Sequence, residues 1–260
     1  MEVLRAVNVA AVIPARWASA RLPGKPLADI HGKPMIAHVY ERVARHTGLR
    51  AVIVATDDER IAAAVRAVGG RAAMTSPSCA SGTDRVAEVA AGLDAELIVN
   101  VQGDEPLFDA RMLDDALAPF ARDPQLRFGT LRAAIADDAE VFDPNCVKVV
   151  VDAAGCAIYF SRAPIPYARD AIETRDGGLA FRAGAARPAF WKHLGLYVYR
   201  RDFLLEYASW PPSPLERIEK LEQLRALERG VKIACPPTPH ATISVDTPAD
   251  LEAVRRLMAP

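Results

Sequence analysis

The first apolar run of the chain, VAAVI at 9–13, stops at Pro14, and the run that follows is spaced differently. Met35, Ile36, Val39 and Val43 recur every three or four residues, the period of one helix face, and Pro34 suits a first helical position. Residues 50–57 (RAVIVATD) return to a short β-branched run of strand type, and ERIAAAVRAVGG reads as a helix with a glycine stop. The alternation continues through a short strand (RAAMT), a helix (TDRVAEVAAGL) and the strand-like ELIVNVQGDEP at 96–106. Strands apolar on both faces, separated by helix-length segments, predict a mostly parallel, doubly wound α/β sheet with right-handed crossovers.

Past about residue 135 the pattern changes. NCVKVVVD and CAIYFSR flank Asp152-Ala-Ala-Gly155, which predicts a hairpin instead of a crossover. A polar excursion at 168–189 precedes the strand-like WKHLGLYVYR, where alternation puts His193, Gly195, Tyr197 and Tyr199 on one face. Ser213-Pro-Leu-Glu216 is a capping box opening a helix that Gly230 stops, and Thr247-Pro-Ala-Asp250 repeats the device for a last helix. The predicted organisation is an α/β core from 1–135 and 201–260, with a smaller mixed α+β insertion at 136–200.

Composition narrows the function. Lys+Arg of 32 against Asp+Glu of 33 leaves no global charge for nucleic acid or an anionic membrane. The four cysteines, Cys79, Cys146, Cys156 and Cys235, form no CxxC pair and fit small buried hydrophobes of a reducing compartment. The N-terminal apolar run is too short and broken for a signal peptide, and no run approaches the roughly 18 apolar residues of a membrane span, so a cytoplasmic protein is expected. At 260 residues the chain buries enough surface to need no staples.

Local charge carries the chemistry. Where the first strand ends, Arg16, Arg21 and Lys25 gather in one loop, with Lys33 shortly after. The loop holds no GxGxxG, and Gly24-Lys25 is followed by proline, so it is neither a dinucleotide fingerprint nor a Walker loop. Its guanidinium and ammonium groups suit a phosphate-rich ligand. Gly-Lys-Pro occurs twice, and the second copy, around Lys33, has an ordinary explanation as a helix entry. Asp104 follows the apolar LIVNVQG, and Asp246 ends the strand-like ISV just before the last helix. Two aspartates at one sheet edge make a site for a shared Mg²⁺ that also holds phosphate oxygens. Ser81-Gly-Thr-Asp-Arg85 precedes a helix and caps it or faces a ligand. His31, His38, His46 and His240 have no partner pattern.

IPARWASARLPGKPL, ASGTDR, VNVQGDEP, NCVKVV, YFSRAPIP, KHLGLYVYR, SPLERIEKLEQLR and VDTPADL together resemble, in order, the motifs of the 3-deoxy-manno-octulosonate (Kdo) cytidylyltransferases. The resemblance covers almost the whole chain. It implies a nucleotide-diphospho-sugar transferase-like fold and the reaction of CTP with Kdo to give CMP-Kdo and pyrophosphate, which feeds lipopolysaccharide. By motif it implies Lys25 at the α-phosphate, Arg16 and Arg21 at the outer phosphates, and Ser81, Gly82 and Arg85 along the cytidine. It implies Mg²⁺ on Asp104 and Asp246, and a sugar pocket of Gln102, Arg162, His193, Tyr197, Glu222 and Gln223. It also implies a homodimer, with the insertion contributing to the sugar pocket and the interface. Cys79 stands where the motif usually has histidine, and 172–188 follows no motif of the family. The alternatives are a cytidylyltransferase for another sugar acid, of sialic-acid type, or a non-catalytic nucleotide-sugar sensor.

Overall fold

Strand β1 (Val9–Ala15) is buried along almost its whole length because helices cover both sides of it. Ala11 and Ile13 enter one apolar layer, Ala10 and Val12 the other, as a pleated strand in a covered sheet requires. The computed structural model describes residues 7–18, 22–175, 177–240 and 242–259. After β1 come a short ribbon, β2 (Asp29–Ile30) and β3 (Lys33–Pro34), then α1 (Met35–Ala44), β4 (Ala51–Thr56), α2 (Glu59–Ala67), β5 (Arg71–Met74), α3 (Gly82–Ala91), β6 (Leu97–Asn100), α4 (Arg111–Arg122) and β7 (Phe128–Ala134). Helix α5 (Asp138–Phe142) leads to the hairpin β8 (Lys148–Val151) and β9 (Ala157–Ser161), then a separate ribbon of β10 (Ile172–Arg175) and β11 (Gly178–Phe181). The chain ends with β12 (Trp191–Arg200), α6 (Arg201–Ala208), α7 (Pro214–Glu219), α8 (Leu224–Glu228), β13 (Ile233–Ala234) and α9 (Pro248–Leu257).

The main sheet runs β13-β7-β12-β6-β1-β4-β5, with β8 and β9 attached beside β12. β6, β1, β4 and β5 are parallel, β13 is parallel to β7, and β12 is antiparallel to both β6 and β7. From β1 the chain builds outward through β4 to β5, then returns to lay β6 on the opposite side of β1. That reversal makes the carboxyl ends of β1 and β6 the topological switch point, where open α/β sheets leave a crevice for ligands. One face is packed by α1, α2 and α4, the other by α3, α6 and α8. Met112, Leu113, Leu117 and Phe120 hold α4 to the sheet; at about 1.5–3 kcal/mol per buried large apolar side chain, packing outweighs its intrinsic helix propensity.

Three sequence expectations change. Residues 191–200, expected inside the insertion, are a central strand, because Leu194, Leu196 and Val198 fill one apolar layer while Tyr199 enters the other. The single helix expected between Ser213 and Gly230 is two, α7 and α8, broken where Lys220 takes a left-handed backbone (φ 55°). Ile243–Asp246 is not a strand: Val245 N donates to Asp104 O at 2.9 Å, but no ladder continues from that bond. The hairpin across 152–155, both capping boxes and the parallel β1, β4, β5 and β6 stand as the sequence predicts. Among the described residues no helix is long and apolar enough to cross a membrane.

Candidate active site

The loop after β1 folds back on itself through Gly24. Gly24 N donates to Trp17 O, and its φ of 70° lies in the region that favours glycine. A Cβ there would come within 2.7 Å of the Trp17 ring, itself covered by Arg60 with the guanidinium 3.4 Å from the ring centre. This tight turn delivers Lys25, at the start of a single 3₁₀ turn, back toward the sheet edge. Lys25 Nζ donates to Asp104 Oδ2 at 2.6 Å and to Asp246 Oδ1 at 3.1 Å. Burial alone would lower its pKa, but the Asp104 charge and the hydrogen bonds to both aspartates outweigh it, so the pKa is raised and the ammonium stays charged.

The two carboxylates reach this point by different routes. Asp104 lies in the turn after β6, where Gly103 is squeezed against β1: a Cβ on it would sit 2.7 Å from Pro14 O. Asp246 is positioned by the start of α9. Thr247 is the N-cap of that helix, and Asp250 Oδ2 accepts from both Asp246 N and Thr247 N. Capping therefore falls to Thr247 and not to Asp246, whose carboxylate turns to Lys25. Glu105, beside Asp104, is buried; that burial, then the Asp104 charge, pushes its pKa up to about 8, so it is mostly protonated at neutral pH.

Lys25, Asp104 and Asp246 border a cavity of about 430 Å³. Its charged lining sets three cations, Arg16, Lys25 and Arg85, beside Asp104 and Asp246, a composition suited to a polyanion arriving with a metal. Arg85 is nearly buried and held by Asp57 at 2.9 Å and by Thr75. Ser81 and Gly82 also line the cavity, while Ser81 and Asp84 complete a capping box on α3, so Ser81 both caps the helix and borders the site. Arg21 lies outside the described residues. Lys33 is tied to Glu41 at 2.7 and 2.8 Å and borders neither this cavity nor the next. Cys79, at the family's histidine position, borders the cavity as a thiol: burial and its bond to Glu88 push its pKa up to about 11.

The donor set can be tested against Mg²⁺. Asp104 and Asp246 converge on one cation with oxygens 2.6 and 3.1 Å from it, and among the described residues no third His, Cys, Asp or Glu joins them. Two carboxylate oxygens beside a space for phosphate are the hard, incomplete ligand set that Mg²⁺ ordinarily takes. The residues fit.

A second cavity of about 190 Å³ adjoins the first through Gly82 and Gln102, which line both. Gln102 Nε2 donates to Gly195 O at 2.9 Å, and Tyr197 OH donates to Gln223 Oε1 at 3.2 Å. Glu222 borders the same space; burial raises its carboxyl pKa against a bond with Thr83. Of the six residues expected around a sugar, Gln102, Tyr197, Glu222 and Gln223 line this cavity, and Arg162 and His193 do not. Arg162 bonds instead to Glu219 O and Pro144 O, joining β9 to α7. His193 sits behind Tyr197, edge-on to Phe160 and hydrogen-bonded to Thr130 at 2.9 Å, and burial pushes its pKa down to about 3. Sequence reasoning passed over Asn100 and Tyr207, which line the second cavity together with Tyr199, read only as sharing the face of Tyr197, and Thr83, read only within the Ser81–Arg85 stretch. For Asn100 a signal existed: an amide closing the otherwise apolar run LIVN.

Residues 10–233 match the family described as Cytidylyltransferase. A protein of Geobacter sulfurreducens named 3-deoxy-manno-octulosonate cytidylyltransferase is 55% identical over 249 residues, covering 95% of this chain and 98% of its own length. One of the same name from Solibacter usitatus is 51% identical, covering 96% and 94%. A solved structure of CMP:2-keto-3-deoxy-manno-octonic acid synthetase complexed with CTP superposes with a TM-score of 0.87 at 47% identity, over 97% of this chain and 98% of the other. The 4-diphosphocytidyl-2C-methyl-D-erythritol synthase of Anaerococcus prevotii shares the fold alone, with a TM-score of 0.60 at 12% identity over 98% and 99%.

Proposed function

The chain belongs to the 3-deoxy-manno-octulosonate cytidylyltransferase family, and from that membership we propose that it transfers the cytidylyl group of CTP to Kdo. The observation that carries this reading is the junction of Lys25, Asp104 and Asp246 at the switch point, between a cation-lined cavity and a smaller polar one. The triphosphate lies in the larger cavity, along Arg16 and Lys25, with the cytidine toward Ser81, Gly82 and Arg85. The sugar acid lies in the smaller, against Gln102, Tyr197, Glu222 and Gln223, so the junction falls where the two substrates meet.

The anomeric hydroxyl oxygen of Kdo, its proton passing to solvent, bonds to the α-phosphorus of CTP while the bond from that phosphorus to the oxygen bridging to the β-phosphorus breaks, releasing pyrophosphate. Such transfer needs positioning and charge stabilisation more than covalent help from the protein. Lys25, kept charged by its partners, neutralises charge growing on the α-phosphate, and Arg16 binds the outer phosphates. Asp104 and Asp246 would hold Mg²⁺, which when bound supplies Lewis-acid polarisation of a phosphate oxygen and a lower pKa for the attacking hydroxyl. Gln102, common to both cavities, orients the acceptor toward the phosphate. His193, neutral across the physiological range, keeps the face of Tyr197 in place.

The product enters lipopolysaccharide biosynthesis; with it go a cytoplasmic location and a homodimer to whose interface the segment 136–200 contributes. Pyrophosphate release in the presence of CTP and Mg²⁺, with Kdo or with N-acetylneuraminate as acceptor, tests the proposal. Release that depends on both CTP and Kdo is expected. Preference for the sialic acid would move the chain to the other acceptor class, and CTP binding without release would leave a sensor.

A further inference from the structure

Asn100 ends β6 directly opposite Tyr197 of β12, so their side chains are neighbours on one face of the sheet. Only 2% of Asn100 is exposed, and its Oδ1 is fully buried with no hydrogen-bond partner. Gln223, also 2% exposed, has the same defect with the opposite sign: its Oε1 accepts from Tyr197, but its Nε2 is buried and unpaired. Both residues line the cavity of about 190 Å³.

A buried acceptor or donor left without a partner destabilises a fold, and such atoms are few in any protein. Two of them, one of each kind, around one small cavity make a preformed site for a ligand whose groups both donate and accept. A hydroxyl does both. The rest of the lining fits the same class: Tyr197, Tyr199 and Tyr207 offer flat apolar faces, and Glu222 and Gln102 add polar groups.

We propose that Asn100 is a specificity-determining residue for the acceptor, with Oδ1 receiving a hydrogen bond from a sugar hydroxyl while Gln223 Nε2 donates to a neighbouring one. The assignment rests on the reading of the second cavity as the Kdo pocket. Sites built to hydrogen-bond a substrate hydroxyl discriminate strongly against molecules lacking it, because their own buried groups are then left unpaired.

The test joins stability to kinetics. Asn100→Leu keeps the volume and removes the defect, so the ligand-free variant should melt about 2–4 °C higher than wild type, the shift for a chain of this size when one unpaired buried group is removed. The same variant should lose about 10- to 100-fold in kcat/KM for Kdo while KM for CTP stays put. Gln223→Met should repeat the pattern from the donor side. A variant that melts lower, or does not fold, shows Asn100 satisfied in the free protein and overturns the proposal. So does unchanged kcat/KM for Kdo, and so does a loss confined to CTP, which would make this the base pocket. If wild-type protein itself does not turn over Kdo, the functional reading falls first and takes the assignment with it; activity in wild type with indifferent variants sinks the assignment alone.

Discussion

Lys25 and Lys33 stand in two copies of the same tripeptide, and the fold gives them unrelated work. Lys33 runs along α1 to Glu41, a half-exposed ion pair of the kind that contributes about 0–1 kcal/mol. Lys25 is drawn between two carboxylates at the sheet edge, in a loop closed by Gly24. Lys25→Ala should therefore cut turnover by about 10²- to 10³-fold, the scale of losing one preorganised charge-stabilising group. Lys33→Ala should leave turnover within about twofold, as expected for a surface pair of that worth. Parallel rate measurements on the two variants check this, and equal losses would contradict it. At this scale the sequence was informative wherever a residue type clashed with its surroundings. Cations at a strand end and an aspartate after an apolar run were visible, and so was the difference between the tripeptides, since only one opens a helix. Arg162 and His193 were attached to the sugar through resemblance to a family. The fold turns Arg162 toward carbonyls of 144 and 219 and sets His193 behind Tyr197, partners no local pattern announces.

Elements bring the second cavity together, and its decisive feature is a helix that breaks. Lys220 at φ 55° separates α7 from α8, and the turn between them carries Glu222 and Gln223 to the cavity while Leu221 and Leu224 enter the core. From sequence the stretch after the capping box reads as one helix, because the box opens it, Gly230 is the next stop signal, and lysine is a good helix former. A left-handed backbone at a residue with a Cβ costs about 1–2 kcal/mol, and tertiary packing overrides it here. Lys220→Gly should accordingly melt at or slightly above the wild-type temperature, relief of strain being offset by the freer unfolded chain. Lys220→Val should melt about 2–8 °C lower and raise KM for Kdo, since a β-branched residue tolerates this backbone worst. Thermal scans with Kdo titrations decide it; indistinguishable melting of the two variants would mean the break is not held in place by packing. The false strand before Asp246 has a related cause. ISV has strand composition, but its single bond to Asp104 O is a clasp between two loops and has no neighbouring strand to extend it.

Over the whole molecule, the parallel half was legible because strands buried on both faces must be largely apolar, and β1, β4 and β6 are, up to the closing Thr56 of β4 and Asn100 of β6. Strand order was not legible. β12 lies between β6 and β7, pairing far along the chain, and nothing in the alternation of WKHLGLYVYR names its neighbours. The placement matters for function, since β12 sets Tyr197 beside Asn100 and Gly195 beside Gln102. Topology likewise brings Asp246 to Lys25 across 221 residues of sequence and makes one unit of the loop after β1, the turn after β6 and the start of α9.

That unity is the central claim, and the Mg²⁺ dependence of turnover in Asp104→Asn, Asp246→Asn and the double variant tests it most directly. If the two carboxylates serve one ion and one phosphate, each single variant should be nearly inactive and require far more Mg²⁺. The double variant should be scarcely worse than the poorer single, because residues acting together are strongly non-additive. Losses that simply multiply, or a normal Mg²⁺ dependence in Asp246→Asn, would contradict the account and leave Asp246 a partner of Lys25 with no share in the metal.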